Sequence, residues 1–459
     1  YSSPANPASF AADADLASHM IVAGEVDGNK QLKVYSQKPG ETKNRYLVAP
    51  GLTVGGTSDR SITWTTRGTS AAAAMISGAA AVVWGRWPYL TADRVADVLL
   101  ETAEDLGEPG VDDVYGRGLL RLDRAMQPQG HLVASSMSGQ SITLGQTVGT
   151  LPAAAYAALQ AQGLSVQYYD KYGRDFAVNA SAMFAKQKEA SAAQQRDGIM
   201  QEVAPRHEQT MGGMSFAWAG AAGRSEPWFK MGFAGQGWGG EVWRGSMFVP
   251  QAFTDSPVVG RFTQASGAHA RLELGPGLAL HGTAAFGKSV QAQDLQVMGL
   301  GLSWQAQGWT VRLDASGANA AAMGDAADRR RAWSLALERE VGSNMTLGVA
   351  LHQGQRQQRL GAGFGQTSEE AGSVVLRLAS RDLLSSGDRL SVSFNVPQRR
   401  TMRLSLDLPT RVDMATGAPL FERVNLTSSS REPLRLGFGY AVPLKGQRLL
   451  QLGASLDST

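Results

Sequence analysis

Residues 68–78 read Gly-Thr-Ser-Ala-Ala-Ala-Ala-Met-Ile-Ser-Gly, a small-residue turn that runs straight into an apolar, proline-free stretch. The pattern predicts a helix from Ser70 to about Trp84, buried on all sides because its Ala residues permit close contacts. Ser70 then lies in the first helical turn. The first backbone N–H groups of a helix have no intrahelical acceptor, and the peptide dipoles add positive potential there. Such a place stabilises an oxyanion, so a serine hydroxyl in it can serve acyl transfer. A serine or threonine that merely caps the helix fits the tripeptide equally well, and on the tripeptide alone capping is the commoner role.

Other chemistries find less support. With no cysteine in the chain, a disulfide framework, thiol catalysis and thiolate metal sites are excluded. The six histidines are scattered, without a pair at the sequence spacing of zinc ligands, so no metal is expected. His19, beside an apolar run, reads as a structural or exposed residue. Asp105, Asp112 and Asp113 lie in a Gly-rich loop, where solvated turn residues are the expected reading and a calcium site the alternative. A net charge of +3, with no dense Lys/Arg run, speaks against nucleic acid as a partner.

The elements that would hold Ser70 can be read around it. Residues 19–26 and 46–51 are short apolar strands, the second ended by Pro50-Gly51. Thr91 caps a second helix reaching to about Glu104, with Val95, Val98 and Leu99 at helical spacing. Residues 1–127 thus form an α/β unit. Residues 128–205 read as a connector, including the Tyr-rich stretch Tyr168, Tyr169, Tyr172. No run of apolar residues is long enough for a membrane helix.

In family order, several blocks resemble the subtilase family of serine peptidases. They are Met20-Ile-Val-Ala-Gly-Glu-Val-Asp27, Val48-Ala-Pro-Gly51, Gly68-Thr-Ser70 with its Ala run to Gly78, Thr102-Ala-Glu-Asp-Leu-Gly107, and Val114-Tyr-Gly-Arg-Gly-Leu-Leu120. The resemblance covers about the first 127 residues. It implies a partial three-layer subtilisin-like domain, Ser70 as the nucleophile, its own N–H in the oxyanion hole, and Thr69 as a supporting hydroxyl. It also implies that the catalytic Asp and His lie upstream of Tyr1, so that this chain alone is inactive. Where the family has Pro and His after the serine, this chain has Ala74 and Met75. Asn6 is the only nearby candidate for the family's oxyanion-hole asparagine, and its surroundings read as a loop.

From residue 206 onward the texture changes to period-two segments joined by Gly-containing turns, about twelve segments of 7–10 residues. Leu300, Leu302 and Trp304 share a face with Trp309, Val311, Leu313 and Ala315 across a Gln-Gly turn, while Arg312 and Asp314 point away. The fold class is therefore α/β followed by an antiparallel all-β, barrel-like domain. Two readings of that domain stay open: a barrel in an outer membrane, or a soluble β domain with Trp304, Trp309, Trp333, Phe438 and Tyr440 in its core. A subtilase followed by such a meander resembles the peptidase autotransporters of Gram-negative bacteria.

Taken together, the sequence predicts a secreted or outer-membrane-tethered serine endopeptidase without cofactor. Its partners are a peptide or protein substrate and, through the β domain, outer-membrane lipid. The competing reading is a non-catalytic adhesion, export or pore protein with a relict peptidase fold.

Overall fold

The structure is a computed structural model and describes residues 7–56, 63–186, 207–219, 228–245, 249, 256, 258–259, 262–289, 294–321, 327–444 and 448–457. The chain divides into two units. Unit 1 holds residues 1–146, 164–179 and 409–422; unit 2 holds the remainder.

Unit 1 is built on two parallel strands, β1 (Val22–Val26) and β2 (Tyr46–Pro50). Leu47, Val48 and Ala49 are all buried, as expected for a strand covered on both faces. The run expected from residue 19 starts at Val22 instead, because residues 17–19 close a 3-10 turn. The antiparallel pair β3 (Leu52–Gly56) and β4 (Thr63–Arg67) follows. Next come helices α1 (Thr69–Arg86) and α2 (Ala92–Glu101). On α1, Ala72, Ile76, Ala79 and Val83 recur at helical spacing and pack with Trp87, Val98 and Leu99 in one core. The Thr91 side chain accepts the Arg94 N–H at 3.5 Å and starts α2 as a cap.

The expectation that α1 is buried all round is not met. Ala73, Ala74, Met75, Gly78, Val82 and Trp84 are exposed, because only one side of the helix faces β1, β2 and α2 within unit 1.

After α3 (Leu122–Ala125), strands β5 (Val133–Ser135), β6 (Ser141–Thr143), β8 (Ser165–Tyr169) and β9 (Asp175–Asn179) form a four-stranded sheet in the order β6-β5-β8-β9. Strand β7 (Gly149–Leu151), helix α4 (Ala153–Ala161) and strand β10 (Phe184–Lys186) group with unit 2.

Gly118 shows how tightly the β2 edge is built. It lies at φ 104°, and a Cβ there would fall 2.1 Å from the Glu104 carbonyl oxygen. Leu119 and Glu104 exchange backbone hydrogen bonds at 2.8 Å on either side of that contact. Gly118→Ala is expected to cost about 2–4 kcal/mol of unit 1 stability, read as a lower urea midpoint of the chain. A neutral Gly118→Ala would show that this approach is not tight.

Among the described residues the sheet of unit 2 has sixteen strands rather than about twelve, and its central ones are longer than expected. It opens with β11 (His207–Met211), β12 (Met214–Ala219), β13 (Trp228–Gly235) and β14 (Trp238–Arg244). The long strands are β15 (Phe262–Gly275), β16 (Leu278–Ser289), β17 (Asp294–Ala306), β18 (Trp309–Ala321), β19 (Ala327–Val341), β20 (Met345–Arg359) and β21 (Gly365–Arg381). They are followed by β22 (Arg389–Pro397), β23 (Arg399–Val412), β24 (Pro419–Arg431), β25 (Arg435–Leu444) and β26 (Arg448–Asp457). The strands pair antiparallel in chain order up to β22, which then pairs β25, while β23 and β24 branch from β21. Among the described residues β11 and β26 each have one neighbour, so the path is open.

Gln307 and Gly308 join β17 to β18 with positive φ at both positions, 51° and 76°. That is the primed two-residue turn whose twist matches a hairpin, as the Gln-Gly pair predicts. The register then sets Leu302 opposite Leu313 and Trp304 opposite Val311.

Burial over the long strands is largely inverted, although Trp243, Val258, Phe262, Leu295 and Val297 form a buried apolar cluster in the same unit. Leu280, Leu302, Leu313 and Leu335 stand side by side across four strands, and all are exposed. Trp304, Trp309, Trp333 and Phe438 are exposed too, not core residues as a soluble domain would have them, and Tyr440 is half-buried. The opposite face buries polar groups. Ser334, His352 and Ser373 are matched across β19–β21 and are 3% exposed each. Asp328, fully buried, accepts from Arg330 and Arg356 at 2.8 Å each.

Candidate active site

Gly68 lies at φ 121°, ψ 171°, a conformation that glycine reaches at no steric cost, and it turns the chain from β4 into α1. Its N–H donates to the Gly51 carbonyl at 3.1 Å, which ties the turn to the end of β2. Its carbonyl accepts the N–H groups of Ala71 and Ala72 at 2.9 and 3.2 Å. Thr69 and Ser70 are therefore the first two residues of α1. Ser70 is exposed and Thr69 half-buried. Neither the Ser70 N–H nor its hydroxyl has a hydrogen bond among the described residues. The arrangement is a free hydroxyl and a free N–H, side by side at the positive end of an 18-residue helix.

Among the described residues no base bonds the Ser70 hydroxyl. His19 Nδ1 is 2.6 Å from Asp93 Oδ1 at the start of α2, a structural pairing as the sequence suggests. Asn6 lies outside the described residues. Two of the three loop carboxylates are engaged within their own turn, and the third by a lysine. Asp112 accepts N–H groups of Glu108, Val114 and Tyr115, Asp105 accepts that of Gly110, and Asp113 pairs with Lys43 at 2.9 Å. The Lys30 and then the Arg121 side chain hold Glu104 below the ordinary carboxylate range. A cavity of about 590 Å3 in unit 1 is lined by Tyr89, Arg94, His131 and Lys171, among others, and does not include Ser70.

The far end of α1 is fixed by residues that no sequence pattern singled out. The β8–β9 turn carries Asp170, Arg174 and Asp175. Arg174 is fully buried. Its Nη2 and Nε donate to Asp170 Oδ2 at 2.6 and 3.0 Å, and its other donors reach the carbonyls of Ala125 and Gln127. The guanidinium stacks 4.7 Å over Trp87 and 5.5 Å from Phe176. Asp175 accepts from Tyr89 at 2.6 Å and from Arg86 at 3.2 Å, while its carbonyl accepts the Trp87 indole N–H at 3.2 Å. Burial, and then Asp175, push the Tyr89 hydroxyl well above its usual range. This hairpin holds residues 86–89, where α1 ends, in a polar clamp that leaves its Ser70 end open.

The subtilase family model matches residues 2–118. Serotype-specific antigen 1 of Mannheimia haemolytica is 38% identical over 120 residues, 24% of this chain and 13% of that protein. Subtilisin DY of Bacillus licheniformis is 33% identical over 108 residues, 24% of this chain and 37% of the subtilisin. The neisserial autotransporter lipoprotein NalP of Neisseria meningitidis is 41% identical over 59 residues, 13% of this chain and 6% of that protein. The chain thus spans well under two thirds of the length of each of these relatives.

Proposed function

We propose that the chain is the C-terminal part of a subtilisin-type serine endopeptidase, with Ser70 as its nucleophile, carried on a β domain that sits in the outer membrane of a Gram-negative bacterium. The observation that carries the catalytic half is the exposed Ser70 hydroxyl next to its own free N–H at the start of α1, inside the segment that matches the subtilases. In this reading Ser70 Oγ attacks the scissile carbonyl and its proton passes to a histidine. The oxyanion is held by the Ser70 N–H, with Thr69 in support. The amine leaves with that proton, and water then releases the acyl group.

The histidine and its orienting carboxylate come from outside these 459 residues, so the chain by itself does not turn over peptides. A fluorophosphonate probe is expected to label the full-length natural protein, and labelling should vanish in Ser70→Ala. Absent labelling, or labelling that survives the substitution, would overturn the catalytic reading. Turnover by the 459-residue chain that disappears in Ser70→Ala would instead overturn only the claim that the base lies elsewhere.

The inverted burial of unit 2 supports the membrane half. A sheet that buries serine, histidine and ion pairs while exposing leucine and tryptophan suits lipid on its exposed face. The similarity to an autotransporter lipoprotein fits the same reading. Leu300, 66% exposed in the middle of β17, is the place to test it. Leu300→Arg is expected to destabilise the chain in lipid vesicles by about 2–4 kcal/mol, measured by urea unfolding in the bilayer. A neutral effect, with the wild-type chain monomeric in water and indifferent to vesicles, would favour the soluble domain.

A further inference from the structure

His269 and His281 lie twelve residues apart, on β15 and β16. Pairing of these strands sets His269 opposite Thr283 and Arg271 opposite His281, so the two histidines are diagonal neighbours on one face of the sheet. That face is the one that buries polar groups. Their rings stack with centroids 5.4 Å apart, and His281 Nδ1 is 3.4 Å from His269 Nε2.

The outward nitrogen of each ring meets a hydroxyl: His281 Nε2 to Ser303 Oγ at 2.5 Å, and His269 Nδ1 to Thr283 Oγ1 at 2.8 Å. If each ring donates to its hydroxyl, two lone pairs face one another across the 3.4 Å gap. Two nitrogens bound at about 2.0–2.1 Å to one tetrahedral ion are separated by roughly 3.3–3.4 Å. A ring that ligates a metal through one nitrogen commonly donates from the other to an oxygen, which fixes its tautomer and direction. Both hydroxyls are placed to do this.

Both histidines are only half-buried, so an ion with bound water can reach them. Glu241 stands opposite His269 on β14, paired with Lys230 at 2.8 Å, and Asp314 lies on the same face. Glu241 is matched by Lys230 and Arg271 by Glu273 at 3.7 Å, which leaves Asp314 to balance Arg312. Among the described residues no group of three or more metal-ligating side chains occurs, so the protein would supply two ligands and water the rest.

We propose that His269 and His281 bind a divalent transition-metal ion of the zinc and copper class through His269 Nε2 and His281 Nδ1, with Thr283 and Ser303 orienting the rings. No sequence pattern hints at such a site, because its ligands meet only through the hairpin register.

The test is a Cu2+ titration of the full 459-residue chain folded in detergent, followed by electron paramagnetic resonance and by competition with Zn2+. One saturable ion per chain with two imidazole nitrogens in its spectrum is expected. Joint replacement, His269→Ala with His281→Ala, should abolish it. Ser303→Ala keeps both rings and should weaken binding by roughly 10–100-fold. His352→Ala, on the same face of β20, should leave it unchanged. The proposal is overturned if no saturation occurs up to about 1 mM, if the double variant binds as well as wild type, or if the bound ion shows fewer than two nitrogens. Should the double variant fail to fold, the wild-type spectrum and the Ser303→Ala affinity decide the matter.

Discussion

Ser70→Ala in the full-length natural protein is expected to lower kcat for peptide hydrolysis by roughly 10^6-fold, the loss known for removal of a subtilisin's nucleophile and not a figure this structure yields. The structure adds the control. Ser70 is exposed and makes no hydrogen bond among the described residues, so its loss should leave stability within about 0.5 kcal/mol of wild type. The pairing of a collapsed rate with an intact fold separates a nucleophile from a helix cap. A capping serine predicts the opposite: activity retained, and stability down by about 1 kcal/mol. Active-site titration alongside urea unfolding distinguishes the two outcomes.

The second large effect belongs to Arg174. Replacing it by Ala or Met leaves Asp170 as a buried carboxylate without its guanidinium, and removes the donors to the Ala125 and Gln127 carbonyls. Breaking a buried pair from one side costs about 3–5 kcal/mol, well above what an exposed ion pair contributes. Trp87, directly under the guanidinium, gives a fluorescence signal for the loss. Arg174→Met combined with Asp170→Asn should recover part of the stability, because the orphan charge is gone. A cost under about 1 kcal/mol for Arg174→Met alone would mean the cluster does not hold the hairpin to the end of α1.

Chemistry carried by contiguous residues was readable in advance. The Gly-Thr-Ser turn, the Thr91 cap and the Gln307-Gly308 hairpin each depend on neighbours in the chain, and each appears as expected. The Arg174 clamp was not readable, since Asp170, Trp87 and the Ala125 carbonyl meet only after folding. Period two in residues 206–459 revealed strands but not which face is buried, because alternation looks the same in a soluble sandwich and a lipid-facing sheet. Strand length also escaped, since polar residues such as Arg329 to Arg331 interrupt the apparent pattern while the ladder continues through them. The Ala run of α1 suggested complete burial, yet small residues allow close packing without requiring it.

The primed Gln307-Gly308 turn has a consequence for how the sheet assembles. Side chains alternate along a strand, so shifting β18 against β17 by a single residue would carry Asp314 and Arg312 to the leucine side and Leu313 into the ion pairs. Because this loop closes in two residues with left-handed backbone at both turn positions, a bulky β-branched residue at 308 would strain a local feature that counts residues between the strands. That glycine therefore guards the hairpin's count, and with it the division between the leucine side and the ionic one.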